Sequence, residues 1–264
     1  MQFDFGQNWA DFSTNAIDPE RVVQARREFA ELMQGIDLNN RCFLDIGFGQ
    51  GFSLLAAAVA GAVVFGCDIN PKCGEVLARN RIWFPELPNH RIPTVIGSIL
   101  NDAVVSELRA LSGGEGFDIV HSWGVLHHTG DMRRAIANAA SLVRPGGHFV
   151  IAIYNRHWSS LPWFCVKRLY CYSPGWGRRL MIGVLYPVIW LAKLLVTGEN
   201  PKKMERGMDF YYNVVDWVGG YPYEYASMAQ TQTLVESLGF ECVCVIPARV
   251  PTGCNEFIFR KMLV

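Results

Sequence analysis

What this chain lacks narrows it first. Its eight cysteines form no C-x-x-C pair, so the ligand spacing of a structural zinc site is missing. Cys42, Cys67, Cys242 and Cys244 stand instead in apolar, strand-like runs, where cysteine acts as a small buried hydrophobe. Net charge is lacking too, with 24 Lys and Arg against 24 Asp and Glu. That balance argues against a general nucleic-acid binder. The opening residues are polar and acidic, where a secretory leader is basic and then apolar. A reducing cytoplasm is the expected compartment. No internal repeat or low-complexity tract is visible. The longest apolar run, 180–196, is broken by Pro187 and Lys193 and is short against the ~20 apolar residues of a membrane span. Apolar residues are plentiful, at 50% of 264. That is enough for one domain with a large insertion or two small ones.

The most informative stretch is Phe43-Leu44-Asp45-Ile46-Gly47-Phe48-Gly49-Gln50-Gly51. An apolar run ends in an acid, alternating glycines follow, and 52–60 is a good helix former closed by Gly61. This pattern reads as buried strand, tight turn and helix. Glycine permits a bent backbone and a close ligand approach. A helix start offers free N–H groups to electronegative ligand atoms. A nucleotide-like cofactor follows. The dinucleotide fingerprint needs glycine at its first, third and sixth positions. Here the sixth is Phe52, which disfavours a pyrophosphate. The next apolar run, 62–67, reads as a second buried strand and again ends in an acid, Asp68.

Strand and helix patterns then alternate. Strands are expected at 42–46, 62–67, 93–97, 117–122 and 147–153, and helices at 52–60, 71–81, 101–111 and 131–143. Such alternation gives a parallel sheet covered on both faces. A helix is expected at 18–33, behind an aromatic opening of Phe3, Phe5, Trp9 and Phe12. Near the C-terminus, helix 227–238 precedes strands 240–247 and 255–262, which a Pro-Thr-Gly turn forces to pair antiparallel.

The glycine turn, together with Asp68, resembles the first motifs of class I S-adenosylmethionine (SAM) methyltransferases. The segment Phe117-Asp118-Ile119-Val120-His121-Ser122-Trp123-Gly124-Val125-Leu126-His127-His128 is similar to the fourth-strand motif of members related to the ubiquinone and menaquinone biosynthesis enzymes. Two further segments, 216–224 and 253–257, are similar to a bacterial branch of that superfamily, so the likeness runs over nearly the whole chain. It implies an α/β Rossmann-like sandwich, with a mostly parallel seven-stranded sheet, an antiparallel last strand and a helical lid insertion. It implies SAM as cofactor and S-adenosylhomocysteine as its product. On that resemblance Gly47, Gly49 and Gly51 hold the methionine and ribose end, Asp45 shapes the turn, and Asp68, followed by Ile69, grips the ribose hydroxyls. The family usually has an acid for the adenine amino group where this chain has Ser98. Ser98 and the amide of Ile99 are the expected contacts there. Ser122, Trp123, His127 and His128 fall at the carboxyl end of a strand, where an open α/β sheet binds its ligands. Imidazole suits deprotonation of an acceptor near neutral pH, so His127 or His128 is the expected base; capping or packing is the alternative. Some relatives bind a metal through E-x-x-E-H. This chain has Gly124, His127 and His128 at those positions, so no metal is expected.

Three units are expected: an N-terminal lid at 1–36, a cofactor-binding core at 37–154 with 226–264, and a helical substrate-lid insertion at 155–225. Between Asn155 and Arg206 stand nine Lys and Arg against two Glu, a net of +7, so the remainder carries −7. Three readings of the insertion stand. It is a lid helix pair whose apolar run packs over the pocket, with Arg178, Arg179, Lys202 and Lys203 at its rim. It is a peripheral membrane contact through 178–203. Or it is a homodimer surface. Tyr154, Asn155, Tyr211, Tyr212, Trp217 and Tyr221 are the candidate substrate residues; Tyr211, Tyr212, Trp217, Tyr221 and Tyr223 read as an aromatic wall with hydroxyl tips, or as the packed core of the insertion. The expected reaction is direct in-line methyl transfer to an oxygen or nitrogen of an anionic or aromatic small molecule, with the protein positioning the acceptor and excluding water. A non-catalytic SAM-binding scaffold and an NAD-dependent oxidoreductase are the rivals.

Overall fold

Short runs rich in Val, Ile, Phe and Leu, bounded by glycine and acids, form the strands. They are β1 (Cys42–Ile46), β2 (Val63–Asp68), β3 (Thr94–Ile96), β4 (Phe117–Trp123), β5 (Val143–Tyr154), β6 (Phe240–Ile246) and β7 (Cys254–Lys261). The computed structural model describes residues 3–87, 92–202 and 207–263. The strands make one seven-stranded sheet in the order β3-β2-β1-β4-β5-β7-β6. Every neighbouring pair is parallel except the two made by β7, which is antiparallel to both β5 and β6. Strand order reverses direction between β1 and β4, and the crevice there is where such sheets bind ligands.

Helices cover both faces. They are α1 (Phe5–Asn15), α2 (Pro19–Leu32), α3 (Phe52–Val59), α4 (Lys72–Asn80), α5 (Asp102–Leu111), α6 (Met132–Ser141), α7 (Ser160–Tyr172), α8 (Gly175–Thr197), α9 (Phe210–Gly219) and α10 (Met228–Glu236). Side chains alternate across a strand, so β1 sends Phe43 to one core and Leu44 to the other. Phe43 joins Phe29 of α2, Leu54 and Leu55 of α3 and Leu77 of α4. Leu44 joins Leu108 of α5, Ile136 of α6 and Val235 of α10. Five helix starts are fixed by an acid or amide at the N-cap: Asp4, Asp18, Asn101, Asp131 and Asp209 each accept a backbone N–H from the first turn. Such a cap is worth about 1 kcal/mol.

Three elements differ from the sequence expectation. The aromatic opening is itself a helix, α1, with Asp4 as its N-cap. Helix α6 stops at Ser141 and β5 begins at Val143, so Pro145, Gly146 and Gly147 lie within the strand. The register between β4 and β5 shifts there, between Phe117 and Ile119, which is how a sheet takes in residues that cannot follow the regular ladder. The third difference concerns the run 180–196, which does not pack over a pocket. It lies in α8, where Ile182 alone of the helix is buried. The half formed by Met181, Leu185, Tyr186, Ile189 and Trp190 packs with α7 and α9 residues. The opposite half is equally apolar and faces solvent, so apolar content could not tell which face would be covered.

Candidate active site

Each parallel strand ends at the same edge, and each ends in residues able to bind something. The edge opens into a cleft of about 760 Å³. Gly47 and Gly49 turn the chain sharply at its floor, with φ of 73° and 52°. A Cβ on Gly47 would lie 2.4 Å from the Val125 methyls, and one on Gly49 would lie 2.9 Å from Trp9 Nε1. These two positions therefore demand glycine for conformation and for space. Gly51, with φ 82°, caps α3 and shapes the turn without lining the cleft.

Asp68 ends β2 almost buried, at 8% exposure. Its two carboxylate oxygens accept the amides of Gly49 at 3.0 Å and Asn70 at 2.9 Å. Burial pushes its carboxyl up, while the Asn70 and Gly49 amides and the Cys73 thiol hold it down. Three donors against about four lone-pair sites leave acceptor capacity for a ligand donor. Asp45 accepts from or pairs with His121 Nδ1 at 2.7 Å, tying the floor of the turn to β4. His121 Nε2 is buried and has no partner among the described residues, and His121 lines the cleft. Ile69, Ser98 and Ile99 also line it, with Ser98 Oγ accepting the Leu100 amide at 3.2 Å. Trp123 lines it and donates Nε1 to Glu256 at 2.7 Å. Ser122 sits beneath, its hydroxyl given to the Ile46 carbonyl at 2.9 Å.

Helix α1 roofs the floor. Phe5 and Trp9 line the cleft, and the helix is fastened to α4 through Ser13–Asn80 and Lys72–Gln7 and to the α4 entry through Asp4–Asn70. Phe12 is buried in the core instead, and Phe3 packs edge-on to Phe5.

The far end of the cleft holds His128, Tyr154 and Asp216. His128 Nδ1 lies 2.6 Å from the Pro222 carbonyl. A carbonyl only accepts, so Nδ1 carries the proton and Nε2 is left as a lone pair. Burial and the Lys167 ammonium hold the imidazole down to about 3. His127 is fully buried behind it against Tyr154 and does not line the cleft. Burial and neighbouring His128 hold it well below the ordinary histidine value. Asp216, on α9, is pushed up to about 7 by burial, against the pull of Lys167 and the Asn8 amide. Its Oδ1 has no hydrogen-bond partner among the described residues. Lys167 donates to the Trp217 carbonyl and sits 4.0 Å from the Trp217 ring centroid and 4.7 Å from that of Tyr223. Burial pushes its ammonium down to about 7.

Of the expected substrate residues, Tyr154 alone reaches the cleft. Trp217 packs edge-on to Tyr154 and supports it from behind. Tyr211 is half exposed, Tyr212 gives its hydroxyl to the Asp11 carbonyl, and Tyr221 packs on Phe164. Asn155 bonds to Pro251 and Asn255 and braces the end of β5. Arg178, Arg179 and Lys202 do not line the cleft, which removes the basic rim; Lys203 lies outside the described residues. Sequence reasoning missed Asp216 and His121 as site residues. A signal existed for Asp216, the single charged residue inside the largely apolar and aromatic helix FYYNVVDWVG.

Known proteins are similar to this chain in sequence and in fold. Residues 18–244 match a family described as a methyltransferase domain. The ubiquinone biosynthesis O-methyltransferase of Coxiella burnetii is 26% identical over 170 residues, 64% of this chain and 67% of that one. The enzyme of that name from Aromatoleum aromaticum is 32% identical over 157 residues, 60% of this chain and 62% of that one. The magnesium protoporphyrin IX methyltransferase of Synechocystis PCC 6803, solved with bound S-adenosylhomocysteine, superposes with a TM-score of 0.56 at 14% identity, over 97% of this chain and 93% of that one. The chain belongs to the methyltransferase family and is a class I, SAM-dependent enzyme.

Proposed function

We propose that this enzyme methylates a hydroxyl oxygen on a ring-bearing, largely apolar small molecule, with Asp216 taking the hydroxyl proton. The donor site fits its cofactor: the glycine turn leaves room for close approach, Asp68 keeps acceptor capacity, and His121 offers an unpartnered buried nitrogen. SAM supplies, when bound, a methyl group made electrophilic by its sulfonium. The remaining work belongs to this chain. Phe5, Trp9 and Tyr154 exclude water and give apolar surface to a ring. His128 lines the same end of the cleft, and its depressed basicity keeps the ring neutral, so the hydroxyl proton is left to Asp216.

The observation that carries the reading is Asp216 on the cleft wall, with one carboxylate oxygen unpartnered among the described residues and an acidity near neutrality. A general base works best when its pKa lies near the working pH. Sequence reasoning had placed the base on His127 or His128. The low basicity of both and the burial of His127 favour Asp216 for that role. The names of the curated relatives support oxygen as the acceptor atom. Asp216→Asn should lower kcat by about 10²–10⁴-fold with S-adenosylhomocysteine affinity unchanged by calorimetry. A folded variant turning over at the wild-type rate would remove Asp216 from the chemistry.

A further inference from the structure

Helix α8 is 23 residues long and highly apolar, with a mean hydropathy of 2.0 over its best 18-residue window, of which only 6% is buried. Trp176, Leu180, Val184, Val188, Leu191 and Leu195 recur at steps of four or three and so share one face. Each is 50–76% exposed. Helix α7 adds Leu161, Leu169 and Tyr172, at 58–65%. A helix on a water-facing surface normally turns polar residues outward, and a core helix of this composition is covered. This one does neither. It does not cross a bilayer either, because β5 before it and β7 after it pair in one sheet. A single crossing would put those strands on opposite sides.

Charge identifies what covers the face. Neither α7 nor α8 contains an acid, while Arg168, Arg178, Arg179 and Lys193 lie on them. Arg168 and Arg179 are exposed and pair with no carboxylate among the described residues. Exposed cations with no acid between them therefore flank the apolar face on both helices. A second copy of the chain fits poorly, since a twofold contact would set one such segment against the other. Apolar side chains flanked by cations match anionic headgroups over acyl chains.

We infer that the outer face of α8, with the exposed stripe of α7, docks in the plane of an anionic lipid bilayer. The docking stands independently of which residue is the base. The probe is vesicle sedimentation with phosphatidylcholine mixed with phosphatidylglycerol, against phosphatidylcholine alone. The wild type should pellet with the anionic vesicles and be released by salt. The variant Leu180→Gln, Val184→Gln, Val188→Gln, Leu195→Gln alters exposed positions only, and its fold is checked by S-adenosylhomocysteine affinity, expected unchanged. It should lose vesicle binding by roughly tenfold or more, because binding scales with buried apolar area. Arg168→Gln with Arg179→Gln should lose the preference for anionic vesicles and the salt dependence together. Wild type remaining in the supernatant at low salt overturns the inference. So does a wild-type dimer in sedimentation velocity that the apolar variant splits, without any vesicle binding.

Discussion

At the scale of single residues, the acceptor end of the cleft is a set of buried ionisable groups whose environments pull against one another. Lys167 lowers Asp216, and Asp216 raises Lys167. Removing the cation should therefore raise the Asp216 carboxyl further. Lys167→Met should shift the acid limb of the kcat–pH profile, expected near pH 7 in the wild type, to higher pH; an unmoved limb would mean that Asp216 is not the titrating base. His128 governs stability in the opposite sense. Its folded value, about 3, lies below the ordinary histidine value of ~6.5. The stability it contributes is present above pH 6.5 and is lost as the pH falls from there towards 3. The slope is about 1.4 kcal/mol per pH unit for one such group, and His127 is shifted in the same direction. His128→Gln should flatten the fall of Tm between pH 6.5 and 4, measured by calorimetry. A fall as steep as the wild type's would contradict the buried, neutral ring. These couplings were not legible in the sequence. His127 and His128 announced themselves as a motif, whereas Asp216 gains its character only when α9 is packed beside α1 and Lys167.

At the scale of elements, the cofactor end depends on α1 lying over the glycine turn. Trp9 Nε1 sits where a Cβ on Gly49 would fall, at 2.9 Å. Trp9→Ala should open that roof and weaken S-adenosylhomocysteine binding by about 1–2 kcal/mol, the scale of one large apolar contact, with little change in Tm. Unchanged affinity would show that α1 covers the acceptor alone. Gly49→Ala should do more, since it adds left-handed strain to the clash with Trp9. The strands and core helices were legible because each obeys a local period and ends at glycine, proline or an acid. Helix α1 was not, because its large apolar residues are aromatic and it carries Gly6, Asn8, Ser13 and Asn15, residue types that favour turns over helix interiors. The covering of α8 was not legible either. Its two faces are equally apolar, and only the packed neighbours distinguish them.

At the scale of the molecule, one sheet edge brings together a donor end and an acceptor end. Glycine turn and Asp68 lie at β1 and β2; His128, Tyr154 and Asp216 lie beyond β4 and β5. A parallel sheet covered on both faces was readable from the alternation of elements, and the place of the cofactor from the glycine turn and Asp68, whereas the strand order came from the structure. Asp68→Ala should cost about 2–3 kcal/mol of cofactor affinity, the scale of charge-assisted hydrogen bonds, and calorimetry with S-adenosylhomocysteine reads it. The most direct test of the whole arrangement is a crystal structure of the complex with S-adenosylhomocysteine. The ribose hydroxyls should bond to Asp68, the nucleoside should lie beneath Trp9, and the sulfur should face the His128 and Asp216 end of the cleft. A nucleoside bound away from Asp68, or a sulfur turned from that end, would contradict it.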